Sequence, residues 1–96
     1  MPERRVTVAS RVGLHARPAA LFVRAAGRAG VAVTIAKIGA APTDARSLLA
    51  VMALDVRHGD EVVLAAEDAG ADAALDELAG LLATDLDAAP SGAGDA

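Results

Sequence analysis

Hydrophobic and polar positions alternate from Arg4 to Ala9 (RRVTVA), with Val6 and Val8 on one side and Arg5 and Thr7 on the other. That period of two predicts a half-buried strand. A polar turn with Gly13 follows. From Ala16 the period lengthens: Ala19, Phe22, Val23 and Ala26 fall at i, i+3, i+4 and i+7, one apolar face of a helix. Pro18 sits in its first turn, where a missing N–H costs nothing, and Gly27 and Gly30 bracket its end. Alternation returns over Val31 to Lys37 (VAVTIAK), with Val31, Val33 and Ile35 on one side. Gly39 to Pro42 allows a turn into a short, weakly patterned third strand.

Asp44 to Leu54 (DARSLLAVMAL) reads as a short helix beginning near Ser47, and His58 to Glu61 (HGDE) as a turn before the strand EVVLAA. Ala71 to Ala83 predicts a second amphipathic helix striped by Leu75, Leu78, Leu81 and Leu82, with Asp68 and Asp72 near the positive end of its dipole. The order βαββαβα predicts an α+β open-faced sandwich: a four-stranded antiparallel sheet covered on one face by helices, the other face left to solvent. One domain over residues 1–86 is expected, followed by a disordered tail over 87–96, whose sequence (DAAPSGAGDA) is too polar to pack.

Composition narrows the chemistry. A chain of 96 residues supports one modest core, so any functional group works at the surface rather than in a deep cleft. Hydrophobic residues make up 54 % but aromatics only 1 %, leaving Phe22 as the one ring and no platform for stacking bases or sugars. Cysteine is absent, which excludes disulfides and thiol chemistry, and no apolar run approaches the roughly 20 residues of a membrane span. The first residues lack the apolar core of a signal peptide, so a cytoplasmic protein without membrane insertion is expected.

Charge is unevenly divided. All nine Lys and Arg lie in residues 1–58 against three acids, while residues 59–96 hold ten acids and no base. Arg17, Arg24 and Arg28, spaced by seven and four, share one stripe of the first helix beside Ala20 and Leu21. Basic residues around an apolar centre suit an acidic protein partner, whereas the acidic second half and missing aromatics argue against nucleic acid.

The candidate chemistry gathers at His15. It stands just before a helix, so the free N–H groups of Ala16 and Arg17 and the positive dipole end would favour an anion on its ring. Arg17 adds a planar cation suited to phosphate oxygens. Imidazole is a nucleophile partly neutral near pH 7, and a phosphoryl group on one of its nitrogens would meet this anion site. No carboxylate lies near His15 in sequence at metal-ligand spacing, and neither a hydrolase triad nor a glycine-rich phosphate loop is present, so no metal or cofactor is expected. Taken by themselves these residues also fit a non-catalytic α+β interaction module in which His15 merely begins a helix.

The stretch GLHARPAALFV (Gly13 to Val23) resembles the active-site signature of the HPr family, the histidine-containing phosphocarriers of the bacterial phosphoenolpyruvate-dependent sugar phosphotransferase system. ARSLLAVMAL (Ala45 to Leu54) is similar to that family's second block, and DAALDELAGLL (Asp72 to Leu82) to its last helix. The resemblance implies that His15 is phosphorylated on Nδ1 by phospho-enzyme I and passes the group to a sugar-specific enzyme IIA, with Arg17 contacting the phosphoryl group; the helix start adds the Ala16 amide as a phosphate-binding group. A carrier of this kind has no independent turnover, and one exposing a single docking face is expected to work as a monomer. The resemblance further implies that Ser47 is the target of a regulatory serine kinase and phosphorylase, and that Leu48, Leu49 and Met52 dock partners; the helix stripe itself adds Ala20, Arg24 and Arg28 to the expected docking face. A carrier feeding a nitrogen-regulatory or dihydroxyacetone kinase branch would carry the same site.

Three positions depart from the family pattern. Val12 replaces a small polar residue able to cap the helix, so Ser10 or His15 is expected to cap it instead. Asp55 replaces a glycine at the end of the second helix, and the turn over Gly39 to Thr43 is one residue longer. Ser47, at a helix start, is equally explained as an N-cap.

Overall fold

The computed structural model describes residues 2–84, so the tail expected over 87–96 lies outside the described residues. Seven elements follow in chain order: β1 (Glu3–Thr7), α1 (Ala16–Arg28), β2 (Thr34–Lys37), β3 (Thr43–Asp44), α2 (Leu48–Ala53), β4 (Glu61–Ala65) and α3 (Asp72–Leu82). The strands form one antiparallel sheet in the order β1-β4-β2-β3. This is the expected α+β open-faced sandwich. The third strand shrinks to two residues, paired Thr34 to Asp44 and Ile35 to Thr43.

Alternation sorts the strands onto two faces as their sequences require. Val8, Val33, Ile35, Val62 and Leu64 are buried, whereas Glu3, Arg5, Thr7 and Glu61 are exposed. Helix α1 contributes Ala19, Phe22 and Ala26 to the same core, and α3 contributes Leu75, Leu78 and Leu82. Phe22 is wholly buried, so the single aromatic side chain fills the centre of a core otherwise built from aliphatics. Leu81 and Val23 lie half-buried at its rim.

Two local features differ from the sequence reading. Asp68 does not act at the start of α3: its Oδ1 accepts the Gly70 N–H at 2.7 Å, closing a turn before the helix, and only Asp72 stands in the first helical turn. The division of charge is also partly cancelled across the fold, because Arg4 reaches from β1 to α3. Its Nε lies 2.6 Å from Asp76 Oδ1 and one Nη atom 3.1 Å from Asp72 Oδ1. These two acids hold the guanidinium more firmly protonated than an isolated arginine, Asp76 through its hydrogen bond above all.

Candidate functional site

The segment before α1 is seated by a close approach of two loops. Gly13 adopts φ +72°, and a Cβ there would lie 2.1 Å from the Val56 carbonyl oxygen and 2.7 Å from the Arg57 Cα. Only glycine fits, for conformation and for space. The Leu14 amide then donates to the Val56 carbonyl at 2.9 Å, and the Leu14 side chain is buried. The turn beyond Val56 is tied in its own right to Val8, the residue after β1: the Gly59 amide donates to the Val8 carbonyl and the Val8 amide to the Asp60 carbonyl, while within the turn Asp60 Oδ2 accepts the Arg57 N–H, each at 2.9 Å. His15 is thus delivered by a braced loop rather than a free one.

His15 is the N-cap residue of α1 in backbone terms (φ −132°, ψ 160°), but its side chain makes no capping hydrogen bond. Ser10 does not supply the cap either. It is buried, and its Oγ has no partner among the described residues. The expected substitute for a polar residue at position 12 is therefore absent, and the first N–H groups of α1 keep their hydrogen-bonding capacity for an incoming acceptor. Ala16 follows with φ +50°, a left-handed conformation that disfavours any side chain by about 1–2 kcal/mol. Such strain is characteristically found beside functional groups.

His15 remains half-exposed, and Ala16 and Arg17 are exposed beside it. Arg17, Arg24 and Arg28 make no ion pair among the described residues, whereas Arg4, Arg46 and Arg57 are each bound to aspartates. Among the described residues the α1 stripe thus retains three guanidinium groups without an ion pair. Ala20 and Leu21 lie half-buried between them.

Helix α2 packs against α1. Its N-cap is Ser47, whose Oγ accepts the Ala50 N–H at 3.2 Å. Val51 faces the core, while Leu48, Leu49 and Met52 are exposed, Leu49 to 82 %. Val12 in the loop before His15 is exposed as well. Three large apolar side chains are thus held in water on one short helix.

The sequence contained one site neighbour that spacing along the chain does not reveal. Asp55 follows α2 and adopts φ +55°, the conformation suited to the glycine it replaces and tolerated best, among other residues, by Asn and Asp. Its Oδ1 lies 3.6 Å from His15 Nε2, its Oδ2 3.1 Å from an Arg57 Nη atom, and its carbonyl accepts from Lys37 Nζ at 3.3 Å. The hydrogen bond from Arg57 holds the Asp55 carboxyl below the usual carboxylate range, with the charges of Arg57, His15 and Lys37 acting in the same direction. Among the described residues no three His, Asp or Glu side chains gather as metal ligands would.

The family model for the PTS HPr component phosphorylation site matches residues 2–84. The chain is 53 % identical over 90 residues to the phosphocarrier protein HPr of Streptomyces coelicolor, covering 94 % of this chain and 97 % of that one. It is 45 % identical over 86 residues to HPr of Haloferax volcanii, covering 85 % and 93 %. Among solved structures it superposes on HPr of Bacillus anthracis with a TM-score of 0.79 at 34 % identity, covering 84 % of this chain and 95 % of that one. With sheet order, helix placement and sequence agreeing over nearly its whole length, the chain belongs to the HPr family of phosphocarrier proteins of the phosphotransferase system.

Proposed function

We propose that the protein carries a phosphoryl group on His15, accepting it from phospho-enzyme I and donating it to enzyme IIA proteins of the sugar branch. One observation carries this reading: a half-exposed imidazole heads a helix whose first N–H groups have no side-chain cap, next to an arginine with no ion pair among the described residues. A phosphoryl group on the ring would meet those amides and the Arg17 guanidinium. The site is open to water, so stabilisation is moderate and the group can leave again, as a carrier requires. Transfer needs chiefly alignment of donor and acceptor, with each protein contributing half of the site.

The exposed residues Leu48, Leu49 and Met52, with Ala20, Arg24 and Arg28, form the docking surface in this reading. They pair apolar contact with charge that speeds encounter with acidic partners. Ser47 serves the fold as the α2 cap, and a phosphoryl group there would place negative charge beside the apolar docking residues. The carrier works in the cytoplasm as a monomer, through partner proteins, without turnover of its own.

The test is incubation with enzyme I and phosphoenolpyruvate. The expected result is an acid-labile mass gain of one phosphoryl group, lost in His15→Ala while the circular dichroism spectrum is unchanged. A His15→Ala variant that still takes up phosphate overturns the assignment.

A further inference from the structure

The Asp55 carboxylate is bound from two directions. Oδ2 is held by Arg57, which leaves Oδ1 facing His15 Nε2 at 3.6 Å, beyond hydrogen-bond length but within ion-pair range. The backbone at Asp55 is fixed by its left-handed turn and by Lys37 Nζ on its carbonyl, and the next residue, Val56, is the one that receives the Leu14 amide. The two loops that bring these side chains together are therefore clamped on both sides. The charged groups facing Asp55 are Arg57 from the same loop and Lys37 from the end of β2, the latter also in contact with Asp60.

We propose that Asp55 is a positioning residue for His15: its carboxylate keeps the ring proton on Nε2, leaving the lone pair on Nδ1, and balances the positive charge that the ring acquires when phosphorylated. A negative charge beside one imidazole nitrogen favours the tautomer with its proton there, and the opposite nitrogen is then the nucleophile. This deepens the carrier reading and rests on it. The donor is a phosphohistidine protein. As the Nδ1 lone pair forms the new N–P bond, the old N–P bond breaks and its electron pair stays on the donor nitrogen. The His15 ring keeps its Nε2 proton and becomes cationic, while the donor ring loses that charge. No proton need enter or leave. Asp55 faces the nitrogen bearing the proton throughout, and the same contact eases the reverse step by preserving a cationic, readily departing ring.

The experiment compares Asp55→Asn and Asp55→Gly with the wild type. Both substituents suit a left-handed backbone, and glycine suits it best, so the fold is retained. Nitrogen-15 NMR of the His15 ring, at a pH where it is neutral, reports the ratio of Nε2–H to Nδ1–H tautomers. The expected ratio falls about threefold in both variants, a size in keeping with one exposed charge contact, and falls likewise in wild type at high salt. The rate of phosphoryl acceptance should fall by a similar factor. A ratio unchanged in both variants overturns the proposal. If the wild type accepts no phosphoryl group at all, the carrier reading fails instead, and the tautomer ratio still decides whether Asp55 sets the state of the ring.

Discussion

The amide of Leu14 donates to the carbonyl oxygen of Val56 at 2.9 Å, joining the segment before α1 to the segment after α2 across 42 positions of sequence. This one bond brings the N-terminus of α1 beside Asp55. It is possible only because Gly13, the preceding residue, has no side chain to hold the two backbones apart.

Gly13→Ala should therefore destabilise the protein by about 3 kcal/mol or more, combining an unfavourable left-handed backbone with a displaced loop. Gly30→Ala is the control. It shares a positive φ, of 78°, but a Cβ at that position would meet nothing within 4 Å. Only the conformational penalty of about 1–2 kcal/mol should appear there. Urea midpoints of the two variants separate crowding from conformation, and equal losses would remove the close approach as the reason for glycine at position 13.

Arg17→Ala should slow phosphoryl acceptance without abolishing it, because the amides at the start of α1 remain. Loss of one charge-assisted contact of this kind is worth about 1.5–3 kcal/mol, or roughly one to two orders of magnitude in rate. Stability should hardly change, since Arg17 is exposed and makes no ion pair among the described residues. Rapid-quench transfer kinetics with enzyme I measure this, and an unchanged rate would place Arg17 outside the site.

At Ser47 stability and transfer should diverge. Ser47→Ala removes the oxygen that accepts the Ala50 N–H and should lower stability by about 1 kcal/mol while transfer continues. Ser47→Asp keeps a capping oxygen and a favourable charge at the helix start, so stability should hold. The same charge beside exposed Leu48 and Leu49 should weaken productive encounter with enzyme I. Thermal melts and transfer rates on both variants decide the point: normal kinetics for Ser47→Asp would exclude this edge of α2 from the docking surface.

The acid limb of stability should depend on Asp60. Its carboxyl is held below the ordinary range first by the Arg57 N–H, and Lys37 adds to the effect. A carboxyl whose folded value is depressed stabilises the fold above the unfolded value of about 3.9, and that contribution is lost as pH falls through the folded value. Asp44 and Asp55 are shifted in the same direction. Stability should thus decline below about pH 4, and Asp60→Asn should make it lower at pH 7 and less steep in acid. Urea midpoints at pH 7 and pH 3 check this; an identical drop in variant and wild type would show that the carboxylate does not brace the turn.

Local pattern determined most of the architecture. Val6 and Val8, or Ala19, Phe22 and Ala26, declare their element within two or three turns of chain, because burial of one face repeats at the period of that element. His15, Arg17 and the helix start were legible for the same reason, lying within three residues of one another. The exposure of Leu48, Leu49 and Met52 likewise follows from the short helix that buries Val51. What lay beyond the sequence alone were relations between segments far apart. Whether Ser10 caps α1 depends on where its side chain is carried, and the fold buries it with no hydrogen-bond partner for its Oγ among the described residues. Arg4 meets Asp72 and Asp76 only once α3 lies against β1, and Asp55 meets His15 only because Gly13 and Val56 come into contact. Periodicity along a chain records which face is apolar; it holds no information on which two polar side chains, 40 residues apart, are brought to the same point when those faces pack.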